Sequence, residues 1–87
     1  MPGSENSELK LNLKTLIIRT CRKQMDPNDL PDDVPIIGEG SALELDSLDV
    51  LELSGALLST YGIRIMDSKD AFRIMKSINA LADVIEP

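Results

Sequence analysis

The chain of 87 residues has no histidine and no tryptophan, and only one tyrosine, one phenylalanine and one cysteine. Each gap removes a class of protein. Without histidine there is no imidazole to activate a serine or cysteine nucleophile, so a self-contained catalytic triad is excluded. With two aromatic residues the core must be aliphatic. A lone Cys21 cannot form an internal disulfide, which fits a reducing compartment or simply a fold that needs no staple, and its simplest role is that of a small apolar residue in a helix. No eighteen apolar residues run together, so no segment spans a bilayer. The opening MPGSENSELK is polar and acidic and lacks the charged-then-apolar layout of a signal peptide, and a soluble, cytoplasmic protein is the expectation. Neither a glycine-rich phosphate cradle nor a metal-ligand cluster is present. Asp26-Pro27-Asn28 fails as a calcium loop because Leu30 and Pro31 stand where a ligand and a glycine are required.

Positive charge is missing from one particular stretch. Lys10, Lys14, Arg19, Arg22 and Lys23 precede residue 26, whereas residues 26 to 63 carry nine carboxylates and no basic side chain, within a net charge of −6. Such a block repels nucleic-acid phosphates and anionic lipid, and it attracts a basic protein partner if it does more than keep the domain soluble.

What is present is a single small domain, 43% apolar, with helical periodicity. Residues 1–6 are expected to be a disordered lead-in and 7–87 the folded domain. Leu9, Leu13, Leu16, Ile17 and Cys21 recur at helical steps, predicting a first helix from Ser7 to Met25, stopped by Asp26-Pro27. Residues 26 to 46, with Pro27, Pro31, Pro35, Gly38 and Gly40, form a long loop that Ile36, Ile37, Leu43 and Leu45 can pin to the core. A second helix begins at Asp46 or Ser47, either of which can cap it, and ends at Tyr61-Gly62. A short third helix is predicted from Ser68 to about Met75. Ser77 caps a fourth, in which Ile78, Leu81, Ala82 and Ile85 share a face. The fold class is therefore all-α: a four-helix bundle with a long loop between helices 1 and 2 and a short third helix.

The second helix has one apolar face too many. Val50, Leu53, Leu57 and Tyr61 form one stripe, and Leu48, Leu51, Gly55 and Leu58 another. A surface helix turns only a stripe somewhat over 100° wide toward its core. The first stripe is assigned to the core; the second, flanked by Asp49 and Glu52, either docks a protein partner or lies under the long loop. Gly55 costs roughly 1 kcal/mol against alanine in a helix, so a bare backbone there implies close approach of a partner or ligand.

Ser47 sits where loop becomes helix. Its hydroxyl is expected to be exposed at the positive end of the helix dipole, where an anion gains on the order of 0.3–1 kcal/mol and finds unpaired N–H groups. No lysine lies near it in sequence to serve as a base. The oxygen is thus either a helix cap or a site modified by another enzyme.

The run Asp46-Ser47-Leu48-Asp49, followed by Val50-Leu51-Glu52-Leu53, lies after a proline- and acid-rich loop and before Tyr61-Gly62-Ile63-Arg64-Ile65. It resembles the acyl carrier protein family, and the similarity covers nearly the whole chain. The resemblance implies that Ser47 carries 4′-phosphopantetheine through a phosphodiester, attached by a phosphopantetheinyl transferase of the holo-carrier-synthase type that uses coenzyme A and Mg²⁺. The arm's thiol would hold acyl intermediates as thioesters. Asp46, Asp49 and Glu52 match the family's acidic recognition residues and Leu48 its apolar docking residue, and Leu51, Gly55 and Leu58 extend that face. The chain would then be a monomeric carrier, not an enzyme, and a substrate of acyl-transferring or condensing enzymes with basic patches. Fatty-acid, polyketide or related lipid metabolism is the implied setting.

Glu44 stands where a glycine is common before the motif, Leu58 and Ser59 where glutamates are typical, and the stretch from Ile65 to Ser77 is slightly long. These departures point to a specialised carrier. The competing reading is a non-carrier helical interaction module in which Ser47 only caps a helix.

Overall fold

The computed structural model describes residues 2–38, 40–41 and 43–87. Among these residues four α-helices follow one another: α1 (Ser7–Thr20), α2 (Ser47–Tyr61), α3 (Ser68–Ile74) and α4 (Ile78–Ile85). Among the described residues there is no strand, and the fold is all-α as the periodicity predicts. No helix is long and apolar enough to cross a membrane.

Each helix start is built by a side chain that satisfies a free backbone N–H. Asn6 caps α1 by accepting from Leu9 N–H, Asp67 caps α3 by accepting from Asp70 N–H, and Ser77 caps α4 by accepting from Ala80 N–H. At α2 the arrangement is reciprocal. The Asp46 carboxylate accepts from Asp49 N–H at 2.8 Å, and the Asp49 carboxylate accepts from Asp46 N–H at 3.2 Å. Gly62, at φ 71°, ends α2 in the left-handed region that glycine enters without steric penalty.

Helix α1 is shorter than its pattern. The periodicity predicts a helix to Met25, but the chain leaves it after Thr20 because Arg22 turns left-handed, at φ 55°. Arg22 N–H then donates to Arg19 C=O and Lys23 N–H to Ile18 C=O, the two bonds of a Schellman turn. The turn redirects residues 23–30 so that Leu30 reaches the core, 3% exposed.

The expected disordered lead-in is also corrected over residues 2–6. Gly3–Glu5 form a 3₁₀ turn against α4: Gly3 N–H donates to Glu86 C=O and Ser4 N–H to the Asp83 carboxylate. Met1 lies outside the described residues.

The core is aliphatic, with Leu13, Ile17, Leu53, Leu57, Met75, Ile78 and Leu81 fully buried. Helix α1 packs on α2 and α4, and α3 packs on α4. The loop between α1 and α2 is ordered onto this core through Leu30, Ile36, Ile37 and Leu43, all buried, with a 3₁₀ turn at Pro27–Asp29. Two backbone bonds fix it: Ile36 N–H donates to Met75 C=O and Asn79 N–H to Asp32 C=O. The Asp32 carboxylate is held between Lys10 and Lys14, at 3.0 and 2.5 Å. The radius of gyration, 11.5 Å, is close to the roughly 12 Å of a compact domain of this length, so the loop wraps the helices and does not trail from them.

Candidate functional site

Helix α2 has the two faces its sequence requires. Leu53 and Leu57 are fully buried, with Val50 and Tyr61 packed beside them. On the other side Leu48, Leu51 and Leu58 are 63%, 69% and 46% exposed. The loop does not cover them. A Cβ built on Gly55 would meet nothing within 4 Å among the described residues beyond its own turn of helix, so none of them packs into the space of the missing side chain.

Ser47 is the first residue of α2 and is exposed. It is not the cap. Asp46 holds that position, and among the described residues the Ser47 hydroxyl makes no hydrogen bond. The N–H groups of Ser47 and Leu48 likewise find no acceptor there, as expected for the first turn of a helix whose cap reaches only the third position. An oxygen free of capping and two free donors therefore share the positive end of a fifteen-residue helix.

Beside Ser47 opens a cleft of about 540 Å³ between α2, α3 and the preceding loop. Leu45, Val50 and Leu51 form one side, and Ile65, Met66, Ala71 and Phe72 the other. Gly38, at φ 83°, floors it where a Cβ would sit 2.9 Å from the Phe72 ring; the ring lies over the loop because that position is glycine. Ser54 on the same lining is occupied, its hydroxyl donating to Val50 C=O.

The acidic residues are partly engaged with their own chain. Asp46 and Asp49 close the capping box. Glu52 lies 3.7 Å from Arg22, which the turn after α1 brings across; with the Arg22 side chain 79% exposed, the pair is worth little and is readily exchanged for another cation. Cys21, beneath this end of α2, is buried, and burial together with the Asp49 charge pushes its thiol up to about 11. It stays protonated and unreactive at neutral pH.

Two features escape sequence reasoning. Met66 and Phe72 are 71% and 58% exposed and extend the apolar surface onto α3. The signal was available: Ala71 and Ile74 are the buried residues of α3, with Met75 buried just past its end, and Phe72 falls off that stripe. The second is Asp67-Ser68-Lys69-Asp70, a near copy of Asp46-Ser47-Leu48-Asp49 at the start of α3, with Ser68 lining the same cleft. A basic residue follows Ser68 where a leucine follows Ser47.

Comparisons with protein-family models, with curated proteins and with solved structures find no match. Among the described residues no group of histidine, cysteine or carboxylate side chains has the geometry to hold a metal ion.

Proposed function

We propose that the chain is an acyl carrier protein, a four-helix bundle that bears 4′-phosphopantetheine on Ser47 and presents acyl thioesters to biosynthetic enzymes. One observation carries the reading: Ser47 is exposed and relieved of capping by Asp46, at the head of a helix that turns Leu48, Leu51 and Leu58 to solvent within an acidic rim.

The residues suit the arm. The free hydroxyl oxygen is a position for a phosphodiester, and the Ser47 and Leu48 N–H groups can donate to its anionic oxygens. Asp46 and Asp49 oppose an anion nearby, but each carboxylate already accepts a backbone N–H, which lowers that opposition. When bound, the arm supplies the thiol chemistry. The chain's own Cys21 is buried and protonated and takes no part. With no histidine in the chain, the base that removes the Ser47 proton, and any Mg²⁺, belong to the transferase.

Docking follows from α2. Leucines inside an acidic rim fit enzymes with basic patches around apolar sockets, and Arg22 yields Glu52 to an incoming cation. The proposed setting is cytoplasmic lipid or polyketide-type biosynthesis by a specialised carrier that acts as a monomer.

Incubation with coenzyme A, Mg²⁺ and a broad-specificity phosphopantetheinyl transferase, read by intact mass, tests the assignment. A gain of one phosphopantetheinyl group, lost in Ser47→Ala, is expected. No gain in the wild-type chain would leave an interaction module with no cargo.

A further inference from the structure

Lys10 and Lys14 lie one turn apart along α1, a spacing at which like charges repel. Their side chains are only 16% and 13% exposed. One carboxylate answers both: Asp32 accepts from Lys10 on one oxygen at 3.0 Å and faces Lys14 with the other. Among the described residues no second carboxylate comes within ion-pair distance of either ammonium. Two cations against one anion leave a net positive charge held largely out of water, which is costly without a counter-ion. The donors are also incompletely used. An ammonium has three N–H groups; Lys10 gives two, to Asp32 and to the Asn79 side-chain carbonyl at 3.3 Å, and Lys14 gives one, to Asp32.

These three side chains line a cavity of about 300 Å³ together with Ser7, Leu11 and Asn28. It shares no residue with the cleft beside Ser47. Among the described residues the Ser7 hydroxyl makes no hydrogen bond, and the Asn28 amide gives one N–H to Asp26 and keeps the other. The lining thus offers spare donors from α1 and from the loop, with a surplus of positive charge. An anion with several acceptor oxygens meets them together, whereas chloride or a single carboxylate leaves some unmet. We propose that this cavity binds a phosphate group, held by Lys10 and Lys14 beside Asp32, which competes with it for both ammonium groups. The proposal does not depend on the carrier reading. Such a ligand adds to a junction that Asp32 already makes between α1, the long loop and α4.

The test titrates the full ¹⁵N-labelled chain near neutral pH with sodium phosphate and, separately, with glycerol phosphate, the ionic strength being held constant with sodium chloride. Saturable shifts confined to the amides around Ser7, Lys10, Lys14, Asn28 and Asp32 are expected, with a Kd on the order of 1 mM. Binding of both titrants assigns the site to a phosphate ester, and binding of sodium phosphate alone assigns it to the free ion; either result supports the proposal. Asp32→Asn keeps both lysines and removes the competing carboxylate, so it is expected to bind about tenfold more tightly. An ion pair with a purely structural role gives no such gain. Adding Lys14→Gln to Asp32→Asn, with the fold checked by circular dichroism, is expected to reverse it. No saturable shift beyond the sodium chloride control, or an Asp32→Asn chain that binds no more tightly than wild type, would overturn the proposal.

Discussion

Position 47 shows how much turns on which residue caps a helix. A serine in the capping position spends its oxygen on the backbone; one residue later it is free. Here Asp46 accepts from Asp49 N–H, and the Ser47 hydroxyl is left to solvent. The sequence permits either arrangement, since Asp and Ser cap almost equally well. Among the described residues, two adopt left-handed backbone without being glycine, Arg22 at φ 55° and Glu44 at φ 51°. Such conformations cost roughly 1–2 kcal/mol for a residue with a Cβ. Glu44, like Arg22, keeps a Cβ in a region that glycine enters without steric penalty. Arg22→Gly is expected to gain about 1 kcal/mol, less a few tenths for the exposed pair with Glu52, and to raise the thermal midpoint by several degrees. A lowered midpoint in a melting experiment would mean that Arg22 is held by contacts stronger than its strain. Cys21 gives a second check. With its pKa near 11 and its side chain buried, it should not react with a thiol reagent at neutral pH until the protein is denatured.

At the scale of elements, α2, α3 and α4 were legible because each begins with a side chain suited to capping, and α2 ends at a glycine. The end of α1 was not. Proline at 27 marks where a helix can no longer continue, but the chain departs five residues before Met25, at a turn whose left-handed residue is an arginine that carries no stop signal. The N-terminal turn was hidden for a different reason. Its polar residues look unstructured alone and are ordered by α4, nearly eighty residues away. The outward face of α2 was legible from the spacing of Leu48, Leu51, Gly55 and Leu58, whereas the Arg22–Glu52 contact depends on where the Schellman turn sends the chain. Gly55 separates folding from docking. Because a methyl there meets no atom of the described residues beyond its own turn of helix, Gly55→Ala should stabilise the protein by about 1 kcal/mol in chemical denaturation. If the bare backbone serves a partner, the same variant should be modified more slowly by the transferase. A destabilised Gly55→Ala protein would contradict the open surface seen at that position.

At the scale of the molecule, charge segregation legible in the sequence becomes two different things in space. One carboxylate of the acidic block, Asp32, turns inward to Lys10 and Lys14 and ties the long loop to α1 and, through its carbonyl, to α4. Its hydrogen bond from Lys14, helped by Lys10, holds its pKa below the ordinary 3.8 against the opposing effect of burial. A depressed carboxylate pKa contributes stability that is present above the unfolded value and is lost as pH falls through the folded one. The domain should therefore lose stability below roughly pH 4, and Asp32→Asn should cost about 1 kcal/mol at neutral pH while flattening that acid limb. An unchanged urea midpoint across both pH values would contradict the role given to Asp32.

The carboxylates around Ser47 face outward, and the cleft beside them places two Asp-Ser pairs within one lining. Only one of those serines heads a long helix with an apolar, acid-rimmed outer face. Peptide-mapping mass spectrometry after transferase treatment addresses the difference directly. One phosphopantetheinyl group per chain, on Ser47 with Ser68 unmodified, is the predicted result; a modification on Ser68, or none on either serine, would contradict it.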